Sequence, residues 1–143
     1  MEDIIIKQWN NGVTYGRGYV YSLQYHLVWC TKYRKSIFVG KIEKDTKQYI
    51  RETADALDID IQAMEIMPDH IHLLISCKPQ IRLSDAVKVL KGNVARWLFL
   101  AHPSIKQQLY GGHLWNPSYF VATVSSRSED QIKEYILNQK QKQ

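Results

Sequence analysis

Apolar and polar residues alternate over residues 19–31. Tyr21, Leu23, Tyr25, Leu27 and Trp29 fall on one side, with Ser22, Gln24 and His26 on the other. A period of two predicts a long strand with one buried face. Over residues 41–57 the period lengthens, and Ile42, Tyr49, Ile50, Ala54 and Leu57 form a helical stripe behind the punctuating Gly40. Residues 59–67 and 70–77 read as two strands joined by a tight turn at Pro68-Asp69. The strongest helix covers residues 83–101: steps of about 100° gather Leu83, Ala86, Val87, Leu90, Val94, Trp97 and Leu98 into one arc. Pro103 stops it, Gly111-Gly112 marks a loop, and residues 119–124 read as a last strand. Ser126-Arg127-Ser128-Glu129 has capping-box spacing and opens a final helix, with Ile132, Tyr135, Ile136 and Gln139 on one face.

The order of the first six elements is the split β-α-β-β-α-β, or ferredoxin-like, arrangement. The expected class is α+β: an antiparallel sheet with helices on one face and one added C-terminal helix. A chain of 143 residues reads as one domain over residues 1–143, with residues 1–16 as a leader and 126–143 as the C-terminal helix. Asn10-Asn11-Gly12 is a turn signal within that leader. No apolar run approaches the roughly 18 residues of a membrane span. The N-terminus carries Glu2 and Asp3 where a signal peptide needs basic residues. Cys30 and Cys77 have neither the spacing of a zinc site nor a disulfide framework. They read as buried reduced thiols, and a cytoplasmic location follows.

Net charge is +5, and aromatic residues make up 11% of the chain. Basic and aromatic together suit single-stranded nucleic acid, where bases stack and phosphates are neutralised, although Tyr and Trp serve equally to fill a strand-rich core. Two basic patches stand out. One is Lys32-Tyr33-Arg34-Lys35. The other is the arc of the 83–101 helix opposite its apolar stripe, where Lys88, Lys91 and Arg96 lie beside the small residues Gly92 and Ala95. That arc would admit a phosphate backbone closely, and it is equally the composition of a plain solvated face.

His70 and His72 flank Ile71 on a strand, so both imidazoles point to one side and make half of a divalent-metal site, or simply a packed pair. Tyr135 and Gln139 share a helix face at i and i+4. A phenol beside a carboxamide offers a nucleophile and an oxygen ligand for a hard cation. Their apolar neighbours Ile132 and Ile136 also suit a core position.

Both clusters on this element order resemble a known family. Met67-Pro68-Asp69-His70-Ile71-His72-Leu73-Leu74 is similar to the His-hydrophobic-His signature of the HUH single-strand DNA endonucleases, above all the single-tyrosine transposases of the smallest bacterial and archaeal insertion sequences. Tyr25-His26-Leu27-Val28-Trp29-Cys30-Thr31-Lys32-Tyr33-Arg34 resembles the family's first strand and its basic exit. Leu90-Lys91-Gly92 resembles its second helix, Leu114-Trp115-Asn116-Pro117-Ser118-Tyr119 the approach to its last strand, and Tyr135-Ile136-Leu137-Asn138-Gln139 its catalytic helix.

The resemblance implies His70, His72 and Gln139 as ligands of Mg²⁺ or Mn²⁺, and Tyr135 as the nucleophile. It implies cutting and rejoining of single-stranded DNA at hairpin ends through a 5′-phosphotyrosine. It further implies a homodimer whose active sites are shared between subunits. Lys32, Arg34, Lys35, Lys88, Lys91 and Arg96 are then the candidate DNA contacts. Three other readings compete. A rolling-circle replication initiator commonly has Lys three residues after its Tyr, where this chain has Asn138. A palindrome-associated relative carries a C-terminal extension, whereas this sequence stops four residues after Gln139. A non-catalytic ferredoxin-like module would bind nucleic acid through sheet aromatics alone.

Overall fold

The computed structural model describes residues 14–16, 19–21 and 23–124. The elements are β1 (Thr14–Gly16), β2 (Tyr19–Tyr21), β3 (Gln24–Cys30), α1 (Lys41–Ala56), β4 (Asp60–Met67), β5 (His70–Ser76), α2 (Leu83–Ala101) and β6 (Phe120–Thr123). A four-stranded antiparallel sheet runs in the order β4-β5-β3-β6. With β3 as the first strand of the motif, this is the ferredoxin-like order expected from the sequence, and the class is α+β. The helix expected over residues 126–143 lies outside the described residues.

The strand expected over residues 19–31 is two strands. Tyr19–Tyr21 pairs with Thr14–Gly16 in a separate two-stranded sheet, with Gly16 opposite Tyr19. Only Gln24–Cys30 enters the main sheet. The alternation of apolar residues runs on through both segments, and periodicity records a strand without recording its partner. Thr14–Gly16, placed in the leader by sequence, thus forms the outer half of this hairpin.

The core lies between one face of the sheet and the two helices. From the sheet come Leu27, Trp29, Ile66, Ile71, Leu73 and Ile75, each at most 1% exposed. From the helices come Ile50 and Ala54 on α1 and Ala86, Val87, Leu90, Val94 and Leu98 on α2. α1 starts at Gly40, whose φ of +57° suits a residue without Cβ. Tyr49 of α1 meets Trp97 of α2 edge to face at 5.4 Å. Trp97, expected in the buried arc, is half-buried at this outer seam.

Two sets of hydrogen bonds fix the loops after β3 and after α2. The Pro68 carbonyl accepts the Ile37 and Phe38 N–H groups at 2.8 and 3.0 Å, binding the segment after β3 to the β4–β5 turn. Beyond α2, the Lys32 N–H donates to the Leu114 carbonyl at 2.7 Å and the Asn116 N–H to the Cys30 carbonyl at 2.9 Å. Trp115 packs against Trp29 and Phe38 and donates its indole N–H to the Lys91 carbonyl at 2.8 Å.

Ile71→Ala is expected to cost about 2–5 kcal/mol, the range for emptying a filled aliphatic site. Leu100, 75% exposed, is expected to tolerate Ala within about 0.5 kcal/mol. Urea midpoints at unchanged slope check both.

Candidate functional site

Partners directly opposite one another in an antiparallel sheet project to the same side. Val28 stands opposite His72, and Cys30 opposite His70, across β3–β5. Glu65 stands opposite His72 across β4–β5. His26 and Val28 face Ala122 and Phe120 across β3–β6. Because Ile71, Leu73 and Ile75 enter the core beneath the helices, His70 and His72 occupy the other sheet face with His26, Cys30, Glu65 and Phe120.

The imidazoles of His70 and His72 are 4.8 Å apart between centroids, inclined at 73°, and their residues are 9% and 6% exposed. Each ring is held by a second group at Nδ1. His70 Nδ1–H donates to Asp69 Oδ1 at 2.6 Å. His72 Nδ1 lies 3.3 Å from His26 Nε2, one nitrogen donating to the other, with the two rings stacked at 5.6 Å. Phe120 meets His26 edge-on at 6.2 Å. Nε2 is therefore the ring nitrogen through which either histidine would take a metal. That donor set fits a divalent transition ion or Mg²⁺ completed by oxygen ligands.

The electrostatics favour the ligating form. Burial first, then the neighbouring His70 and His26, push the His72 imidazole down to about 4. Burial lowers His26 as well. A metal-ligating imidazole must be neutral, so this environment keeps His72 ready at neutral pH. Burial works to raise the Asp69 carboxyl, but hydrogen bonds from His70 and Arg34 outweigh it and hold the group below its ordinary value.

Among the described residues no cluster of three His, Cys, Asp or Glu is placed to hold a metal. The remaining partners expected from sequence, Tyr135 and Gln139, lie outside the described residues. The basic candidates separate into two groups. Lys35, Lys88 and Arg96 are exposed and Lys32 half-exposed, and Arg96 donates to Asn93 of its own helix at 2.6 Å. Lys91, expected on an open basic face, is half-buried, and burial lowers its ammonium. It donates to the Asn116 carbonyl at 2.9 Å and the Ser118 carbonyl at 3.4 Å, joining α2 to the approach to β6. Arg34 is in an ion pair with Asp69, its Nε 2.9 Å from Oδ2. An open cleft of about 420 Å³ adjoins this corner, lined by Cys30, Arg34, Asn116, Ser118, Tyr119 and Phe120 among others.

Sequence reasoning did not single out His26, Asp69 or Glu65. Asp69 directly precedes His70, and His26 falls on the polar side of its strand. Only the register, however, places His26 on His72 and Glu65 across from it.

A ferredoxin-like sheet with an oriented His-Ile-His pair on the face away from α1 and α2 is the arrangement of the HUH enzymes, and the similarities of the chain lie with their single-tyrosine transposases. The family model described as "Transposase IS200 like" matches residues 19–139. The ISDra2 transposase TnpA of Deinococcus radiodurans is 48% identical over 128 residues, covering 90% of this chain and 91% of that protein. The transposase for insertion sequence element IS200 of Salmonella typhimurium is 27% identical over 119 residues, 83% of this chain and 78% of that one. A crystal structure of a transposase from Deinococcus radiodurans superposes with a TM-score of 0.74 at 48% identity, over 87% of this chain and 96% of that chain. A REP-associated tyrosine transposase bound to a REP hairpin shares the fold, at a TM-score of 0.66 and 15% identity over 90% and 72% of the two chains. The chain belongs to the IS200-like transposase family.

Two outcomes are expected at this site. Lys91→Ala should destabilise the protein by about 1 kcal/mol, as for a typical intramolecular hydrogen bond, while Lys88→Ala leaves the urea midpoint unchanged. The folded state resists protonating His72 down to about pH 4, whereas the unfolded chain takes that proton near its ordinary value of about 6.5. Metal-free protein should therefore lose stability as pH falls from about 6.5 towards 4. His72→Gln should flatten that dependence in urea midpoints taken across the same range.

Proposed function

We propose that this transposase cuts and rejoins single-stranded DNA at hairpin-bearing insertion-sequence ends, with His70, His72 and Gln139 holding Mg²⁺ or Mn²⁺ and Tyr135 as nucleophile. The observation that carries this reading is the histidine pair itself, fixed at both Nδ1 positions on the sheet face away from α1 and α2. Family membership supplies the strand-transfer chemistry. The fold neighbour solved on a REP hairpin supports a hairpin as the DNA partner.

The phenol oxygen of Tyr135 attacks the scissile phosphorus. The P–O3′ bond breaks, and the 3′-oxygen leaves as a hydroxyl carrying a proton in place of the one the phenol lost. The fragment on the 3′ side of the cut stays joined to Tyr135 through its 5′-phosphate, as a phosphodiester. Rejoining reverses the step, with a 3′-hydroxyl attacking phosphorus and the phenol leaving, so no external energy source is needed. When bound, Mg²⁺ or Mn²⁺ supplies charge neutralisation at a non-bridging phosphate oxygen. Lys32, Lys35, Lys88 and Arg96 suit phosphate contacts, which position the strand without reading its bases. Lys91, committed to carbonyls, serves the fold instead. Two DNA ends and one nucleophilic tyrosine per chain call for a homodimer, whose sites the family resemblance places between subunits, acting in the cytoplasm.

The test uses single-stranded hairpin DNA with Mn²⁺ and a covalent protein–DNA band as readout. Wild type should give the band, and Tyr135→Phe and His70→Ala should each give none while both still bind hairpin. Mixing the two variants should restore part of the cleavage, since one shared site in the mixed dimer regains both groups. A wild-type band from Tyr135→Phe would remove Tyr135 from the chemistry.

A further inference from the structure

The turn before the histidine pair carries a carboxylate that the proposed chemistry leaves unused. Asp69 Oδ1 accepts His70 Nδ1–H at 2.6 Å, and Oδ2 accepts Arg34 Nε–H at 2.9 Å. The peptide bearing it is fixed too. The Asp69 carbonyl accepts the Thr31 N–H at 2.9 Å, and the Thr31 hydroxyl donates to the Lys35 carbonyl at 2.7 Å. Arg34 reaches the carboxylate through two consecutive non-glycine residues in the left-handed region, Tyr33 at φ 58° and Arg34 at φ 53°. Backbone of that kind persists where surrounding interactions over-determine it.

We infer that Asp69 is a positioning residue for His70, and Arg34 a positioning residue for Asp69. The line Arg34–Asp69–His70 keeps the imidazole proton on Nδ1, turns Nε2 into the ligating nitrogen and strengthens its hold on a divalent ion. Carboxylate behind a ligating imidazole fixes tautomer and ring orientation and raises ligand basicity. The inference rests on the metal-ligand reading above, and it assigns Arg34 to the metal side of the site, where sequence alone places it on a DNA phosphate. The Arg34 side chain is 62% exposed and that of His70 11%. The Asp69–His70 bond therefore carries most of the effect, since exposed ion pairs contribute little.

Two readouts on the full chain test it. Mn²⁺ affinity is measured by the paramagnetic resonance of free Mn²⁺ without DNA. Asp69→Gly, which a tight turn accepts, should weaken binding about ten- to a hundredfold. Asp69→Asn, whose amide oxygen still accepts from Nδ1–H, should stay within about threefold of wild type. In ¹⁵N spectra of metal-free, histidine-labelled protein, His70 should be the Nδ1–H tautomer, and Asp69→Gly should shift it towards Nε2–H. Wild-type Mn²⁺ affinity in Asp69→Gly, or an Nε2–H His70 in the wild type, would overturn the inference. A wild-type chain that binds no Mn²⁺ overturns the metal reading itself, and the tautomer then decides the orienting role alone.

Discussion

Register between β5 and its neighbours decides what the sheet face away from α1 and α2 carries. From Gln24 opposite Ser76 to Cys30 opposite His70, β5 is paired with β3 without interruption. On its other side the β4–β5 hairpin closes with Met67 opposite His70. A slip of one residue would send Ile71, Leu73 and Ile75 out of the core and both histidines into it. Burying an aliphatic side chain contributes about 1.5–3 kcal/mol, so three fully buried residues enforce the register far more strongly than any polar contact on the far face. The functional face thus inherits its geometry from the core beneath it.

Chemistry on that face depends on polar groups orienting one another at low exposure. His70 and His72 are nearly buried, a condition that is costly for polar atoms unless they are hydrogen-bonded. Asp69 and His26 meet that requirement at the Nδ1 atoms. The same two contacts leave lone pairs of defined direction for a cation. Burial that keeps His72 neutral therefore works with ligation, since a protonated imidazole cannot bind metal.

Much of this was legible in the sequence. The ends of α2 and the β4–β5 hairpin follow from periodicity and from Pro68-Asp69, because local rules decide those elements. The common facing of His70 and His72 follows from the strand period. The break between Tyr21 and Gln24 was not legible, because the alternating pattern is the same whichever sheet a segment joins. Nor was the role of Lys91: a lysine on the polar arc of an amphipathic helix reads as solvated until the chain beyond α2 folds back and presents the Asn116 and Ser118 carbonyls. The His26–His72 stack joins residues 46 positions apart, a juxtaposition that only sheet topology creates.

Nε2 of His70 and Nε2 of His72 are proposed to bind one divalent ion. Anomalous diffraction from crystals of the full chain grown with Mn²⁺ tests it most directly. One strong anomalous peak is expected within coordination distance of both Nε2 atoms, with Asp69 and His26 still on the Nδ1 atoms. A peak bound elsewhere, or bound through Nδ1 with Asp69 displaced, would contradict it.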